Sequence, residues 1–361
     1  MELIKPNINI NFIGKRKIAF ILSLTLIVIT VASLIAKGGP NYGIDFAGGT
    51  LIQIRFSESI ATETIKEHLG DLGLENASVQ QFGHVDEKEY LIRAEKSSAS
   101  LEGLADKIRK NLEAACTDNK VEVRRVEMVG PKVGKDLREK ALQALFAAIL
   151  LIAVYISGRF ELKWITGVIV AVALLIAIYF LTLLHVPVPA LIFIALLVTL
   201  GLCIYLNLKY ALGAIVALLH DVIITVGIFS LTGKEFTLPI VAALLTIVGY
   251  SLNDTIIVFD RIRENLRRYH KESLAAIINR SINQTLSRTI LTSVTTLMVV
   301  VSLLIFGGGI IHDFAFAMVI GIIAGTYSSI YVASPILILW HQSGTRSWGF
   351  SKKRHFKPLS R

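Results

Sequence analysis

The feature that most constrains this chain is a set of eight apolar runs, each long enough to cross a bilayer. A spanning helix needs about 20 predominantly apolar residues. The runs are Ile18–Ala36, Lys140–Ser157, Trp164–Leu184, Ala190–Leu206, Ala211–Leu231, Thr237–Phe259, Thr289–Gly307 and Phe314–His341. Of the 361 residues 53% are hydrophobic and only 18% charged, whereas an ordinary soluble domain carries about 25% charged residues. The fold class expected is a multispan α-helical membrane protein. The net charge of +10 would suit a nucleic-acid binder, but its distribution argues against one, because the basic residues collect in short segments between the runs. That placement orients helices across a membrane.

Topology follows from those segments. With the N-terminus inside, the inner segments hold Lys5, Lys15, Arg16 and Lys17, then Arg159 and Lys163, then Lys209. Arg261, Arg263, Arg267, Arg268, Lys271 and Arg280 follow the sixth run, and Arg346, Lys352, Lys353, Arg354, Lys357 and Arg361 follow the eighth. The short outer loops hold only Lys234. Both termini are expected in the cytoplasm of a cell with an inner membrane. The first run follows a basic cluster as a signal peptide does, but no small-residue cleavage site closes it, so residues 1–37 are read as a cytoplasmic segment and an uncleaved first helix.

Residues 38–139 form the one long polar stretch and fall outside, in the periplasm. Thr50–Phe56, Ala77–Phe82, Tyr90–Ala94 and Val121–Val129 read as strands, and Thr62–Leu72 and Ser100–Ala115 as helices. The second helix is amphipathic through Leu101, Leu104, Ile108 and Leu112. The order β-α-β-β-α-β is that of a ferredoxin-like α+β domain. Residues 140–341 make the helix bundle and 342–361 a basic tail. Cys116 lies in the polar domain and Cys203 in an apolar run, so neither a disulfide between them nor a cysteine metal site is expected. Leu162 to Ala171 resembles Leu208 to Ala217 at an offset of 46 residues. This is either a tandem duplication of a helix pair or a chance match of apolar composition.

Ionisable residues inside spans are costly and therefore point to function. Asp221, preceded by His220, falls in the middle of the fifth run. Asp254 falls late in the sixth, within Gly249-Tyr250-Ser251-Leu252-Asn253-Asp254-Thr255. Arg288 opens the seventh, with Thr292, Thr295 and Thr296 on the same helical face. That stripe is expected to face a bundle or a watery cleft. Asp254, Arg288 and Asp221 are the proton-coupling candidates, with His220, Tyr250, Ser251, Asn253, Thr292 and Thr295 as supporting polar groups. The bland alternative lets Asp254 and Arg288 snorkel to the interface and makes His220 a packing residue. Ile262, Leu266, Tyr269, Leu274, Ile278 and Ile282 give residues 260–287 an apolar stripe, which lies either on the membrane surface or on neighbouring helices. Gly307-Gly308-Gly309 is a turn, not a phosphate loop. The sequence holds no G-x-S-x-G, no H-E-x-x-H and no P-loop. An enzyme is not expected, ATP is not the expected energy source, and no cofactor is called for beyond the proton as coupling ion.

Several segments resemble the SecD/SecF family of protein-export membrane proteins. They are Tyr42-Gly43-Ile44-Asp45-Phe46-Ala47-Gly48-Gly49-Thr50, Val129-Gly130-Pro131-Lys132-Val133-Gly134, and Leu219-His220-Asp221-Val222. Tyr250 to Thr255 running on to Asp260-Arg261-Ile262-Arg263-Glu264-Asn265, Leu286-Ser287-Arg288-Thr289, and Ser329 to Ser334 complete the set. The resemblance falls on the SecF side. It implies a resistance-nodulation-division-type bundle paired with SecD beside the SecYEG channel, using the proton motive force to draw translocating preproteins across. YajC and YidC, and membrane lipids, are further partners so implied. Asp254 and Arg288 match residues of the family's proton path. The family subunit has six helices, so Trp164–Leu206 is a surplus pair, expected at the bundle's periphery. Competing readings are a scaffold for SecD without proton coupling and a half-exporter of lipid or small molecules, for which the outer domain is small.

Overall fold

The computed structural model describes residues 8–72, 74, 77–82, 88–94, 101–115, 119–183 and 186–347. Of the positions weighed above, Lys5, Ser100, Cys116, Leu184 and residues 348–361 lie outside these, as do the side chains of Leu101, Leu104 and 342–347. After a short 3-10 turn, α1 (Arg16–Ala36) makes the first crossing and α2 (Ile44–Ala47) opens the polar domain. The domain runs β1 (Gly49–Phe56), α3 (Thr62–Gly70), β2 (Ser78–Phe82), β3 (Glu89–Ala94), α4 (Leu101–Ala115) and β4 (Val121–Val129). The bundle continues with α5 (Pro131–Glu161), α6 (Trp164–Leu183), α7 (Val188–Tyr205), α8 (Lys209–Thr232), α9 (Leu238–Arg268) and α10 (Leu274–Phe306). It ends with α11 (Gly308–Ser328), a π turn (Ser329–Ala333) and α12 (Ser334–Ser347). Among the described residues eight helical stretches are long and apolar enough to cross a membrane, the last running through the π turn as Ile311–His341.

The sheet order is β2-β3-β1-β4 with every neighbour antiparallel, the split βαβ arrangement expected of a ferredoxin-like domain. Alternate residues of β1 and β3 point inward, so Ile52, Ile54, Phe56, Tyr90 and Ile92 meet Ile65 and Leu69 of α3 and Ile108 and Leu112 of α4. The buried Tyr90 ring is anchored by its hydroxyl, which donates to Ile60 O at 2.6 Å.

The domain joins the bundle through the two glycine-containing segments flanking it. Gly48 has φ 78 and its missing Cβ would lie 2.8 Å from Pro131 Cα, so only glycine fits the crossing. Pro131 opens α5, where its absent N–H costs nothing. At 31 residues α5 is about 46 Å long, more than the roughly 30 Å of hydrocarbon that one crossing needs.

In the bundle α8, α9 and the last span form the centre, and α6 lies outermost. The apolar stretch of α8 is 61% buried and that of α6 only 11%. Ile165, Ile169 and Ile176 of α6 face outward, and the helix packs on α5 and α7. Both of the matching segments open a helix after a left-handed residue, Leu162 (φ 57) before α6 and Asn207 (φ 59) before α8. The basic stretch from 260 to 287 is mostly helical extension of α9 and α10. Its apolar stripe packs inward: Ile262, Ile278 and Ile282 are buried in the same cluster as Ala211, Phe259 and Ile338. Asn265 closes the hairpin, donating to Ser281 Oγ and Gln284 Oε1 at 2.8 Å each.

Candidate functional site

Asp221, at the middle of α8, is wholly buried. Its Oδ2 accepts from Ser251 Oγ of α9 at 2.6 Å and from Ser328 Oγ of α11 at 2.8 Å. Its Oδ1 lies 2.9 Å from His220 Nδ1. His220 Nε2 lies 3.1 Å from Ser23 Oγ of α1, and Ser23 Oγ in turn 3.1 Å from Tyr327 OH. Tyr327 stacks on the His220 ring and donates its hydroxyl to Ala19 O at 2.7 Å. One polar network therefore ties α1, α8, α9 and α11 together. His220 is the link in its middle, with one ring nitrogen on the Asp221 carboxyl group and the other on the Ser23 hydroxyl. His220 is buried, and both of its ring nitrogens have a polar neighbour.

Close helix approach makes these bonds reachable. A Cβ on Gly325 would meet Ser251 Cβ at 2.8 Å, and one on Gly321 would meet Ile247 Cδ1 at 2.3 Å. Gly321 and Gly325 thus form a small-residue face of spacing four that lets α11 lie against α9. Immediately beyond Ser328 the chain widens into the π turn, across which Ser334 Oγ donates to Ser329 O at 2.8 Å.

Asp254 sits one turn along α9 from Ser251, on the same face. It is 2% exposed, enclosed by the rest of the chain. Its Oδ2 is buried without a hydrogen-bond partner. The charged group facing it is Arg288 of α10. No ion pair within 4.0 Å joins the two among the described residues, so they are neighbours across a gap. The adjoining Thr289 hydroxyl is buried and also lacks a partner.

Thr292 Oγ1 bonds back to Arg288 O and Thr289 O, and Thr295 Oγ1 to Leu291 O and Thr292 O, so these hydroxyls are satisfied within α10. Arg288, Thr295 and Asn253 are exposed on the outer face of the chain, and do not point into its own bundle. Tyr250 reaches across to Thr296 at 3.4 Å. Ser23, Tyr327 and Ser328 were not singled out by sequence reasoning. The available signal was the polar run Thr326-Tyr327-Ser328-Ser329 in the middle of an apolar span, one turn after the Gly321/Gly325 pair.

The sequence matches the family description "Protein export membrane protein SecD/SecF, C-terminal" over residues 108–208 and 189–343. These two stretches overlap on α7, which serves as the end of one match and the start of the other. Residues 33–60 match the "SecD/SecF GG Motif". The protein translocase subunit SecF of Calditerrivibrio nitroreducens is 43% identical, with 94% of this chain and 96% of that protein covered. Its counterpart in Pseudomonas aeruginosa is 37% identical, with 91% and 90% covered. The crystal structure of SecDF from Thermus thermophilus, described as a translocon-associated membrane protein, superposes with a TM-score of 0.68 at 33% identity. That match takes in 94% of this chain and spans 40% of the SecDF chain. Helix pattern, sheet domain and matched segments agree over nearly the whole length, and the chain belongs to the SecF family of protein translocase subunits.

Proposed function

We propose that this chain works as one half of a SecD–SecF pair, coupling proton entry at Asp254 to late steps of preprotein translocation across the inner membrane. The observation that carries this reading is the contrast between the two buried carboxylates. Asp221 has three partners and is built to stay as it is. Asp254 is equally enclosed, yet one oxygen has no partner and the arginine facing it stands off. An uncompensated buried charge costs several kcal/mol, so such a group is poised to take up a proton or draw in its counter-ion. Ser251 lies one turn away on α9, so a shift provoked at Asp254 is passed through Asp221 to α8 and α11. The proton is the coupling ion, and the chain itself carries no chemistry on ATP.

The outer face of α9 and α10 supports SecD as the partner. Asn253, Arg288 and Thr295 stand there exposed within membrane-spanning helices, where polar groups normally face protein or water. The charge asymmetry supports cytoplasmic termini and a periplasmic sheet domain. In that setting SecYEG, YajC and YidC are neighbours, and translocating preprotein meets the pair on the periplasmic side.

The test is Asp254→Asn, co-expressed with the cognate SecD in a strain lacking its own pair. Preprotein translocation into inverted vesicles is followed with and without a proton gradient after ATP is exhausted. A mutant that assembles with SecD but loses only the gradient-dependent step supports the reading. One that translocates like the wild type removes Asp254 from coupling and leaves a scaffold for SecD.

A further inference from the structure

The helices that carry Asp221 and Asp254 are joined by residues 233–237, and this loop is gripped by the sheet domain and its neck. Gly43 N–H donates to Phe236 O at 2.9 Å and Phe236 N–H to Asn41 O at 2.7 Å, a short parallel ladder around Tyr42. Asn41 Nδ2 donates to Gly233 O at 3.2 Å. Asp45 Oδ2 accepts the N–H of Leu238, the first residue of α9. These contacts hold the neck. A separate contact reaches the sheet itself: Arg93 of β3 forms an ion pair with Glu235 of the loop.

This pair is largely withdrawn from water, with side chains 16% and 14% exposed. Arg93 Nε and Glu235 Oε1 are both buried with no hydrogen-bond partner, so the pair has an unused donor and an unused acceptor. Arg93 stands on an inner strand, paired with Leu51 of β1 on one side and Ser78 of β2 on the other. A force on Arg93 therefore acts on the middle of the sheet and not on a loose edge.

We propose that Arg93 and Glu235 are positioning residues that couple the sheet domain to the α8–α9 hairpin, delivering displacement at the buried carboxylates to the part of the chain outside the membrane. This rests on the proton-driven reading above. Breaking the pair leaves the carboxylate site and the neck contacts in place but removes the direct contact between the sheet and the loop. A partly buried charge left without its partner is costly, whereas the reversed pair restores the contact.

The experiment compares Arg93→Gln, Glu235→Gln and the doubly reversed Arg93→Glu/Glu235→Arg chain, each full length and with SecD, in the vesicle assay beside the wild type and Asp254→Asn. Each single variant is expected to copurify with SecD, keep ATP-driven translocation, and lose the gradient-dependent step about fivefold or more. The reversed pair is expected to regain most of it. If wild type shows a gradient-dependent step that Asp254→Asn abolishes, and the single variants keep it, the latch is overturned while the proton reading stands. If wild type shows no such step, both fail. Singles and reversed pair that all fail to assemble give the pair a purely structural role and overturn the inference.

Discussion

Ser328 donates its hydroxyl to Asp221 Oδ2 at 2.8 Å from the last residue before the span leaves the α-helix for a π turn. The widened turn sets the following residues one step out of α register, and π segments in helices concentrate at functional sites. Removing one donor from a buried carboxylate costs roughly 1.5–3 kcal/mol. Ser328→Ala is therefore expected to lower the thermal midpoint of the purified full chain by a few degrees. Asp221→Ala strands the donors on Ser251, Ser328 and His220 together and should lower it further. Equal shifts would show that the carboxylate is not the centre of this network.

Packing at the α9–α11 crossing makes a second prediction. Gly325→Ala places a methyl 2.8 Å from Ser251 Cβ and must push the helices apart. Overpacking of this kind costs about 1–3 kcal/mol, and here it also lengthens the Ser251 and Ser328 bonds to Asp221. Gly249→Ala, on α9 where no atom lies within 4 Å of the added methyl, should not destabilise, and alanine's helix propensity favours it by roughly 0.5–1 kcal/mol. A thermal unfolding comparison of the two variants decides it. Equal behaviour would mean that the crossing is loose.

The spans and the sheet domain were legible because each is set by a local rule. Apolar length marks a crossing, and the 2- and 3.6-residue periods of Ile52, Ile54, Phe56 and of Ile108, Leu112 mark a strand and a helix. Asp221 and Asp254 were legible as charges in apolar runs. What separates them was not. The difference between a carboxylate with three donors and one with a vacant oxygen depends on which residues of α1, α9 and α11 arrive beside α8, and sequence spacing says nothing of that. The stripe from Ile262 to Ile282 was ambiguous for the same reason, since a membrane surface and a neighbouring helix demand the same apolar face.

The carboxylate of Asp45 caps α9 from across the neck, accepting the Leu238 N–H at 2.9 Å. A negative group here satisfies one orphan donor and meets the positive end of the helix dipole. Asp45→Ala is expected to destabilise by about 1 kcal/mol. Asp45→Asn, which keeps the acceptor and loses the charge, should cost less. Thermal midpoints at low and high salt separate the two contributions. The charge term shrinks with salt and the hydrogen bond does not.

The inward packing of the α9–α10 base yields a prediction about accessibility. Ile278 is fully buried, whereas Ala276, two residues earlier on α10, is exposed. Had the stripe lain on the membrane surface, Ile278 would contact acyl chains and Ala276 headgroups or water. Buried in one core cluster with Phe259 and Ile338 as it is, Ile278 meets neither. With the native cysteines replaced, Ala276→Cys is expected to react readily with a water-soluble maleimide and Ile278→Cys not to react in the folded chain. A polarity-sensitive or lipid-quenchable label decides between the environments. A fluorophore at 278 quenched by brominated acyl chains would place the stripe on lipid. Labelling at 278 that appears only on unfolding, with no quenching, places it between helices, where it fixes the separation of the segments that carry Asp254 and Arg288.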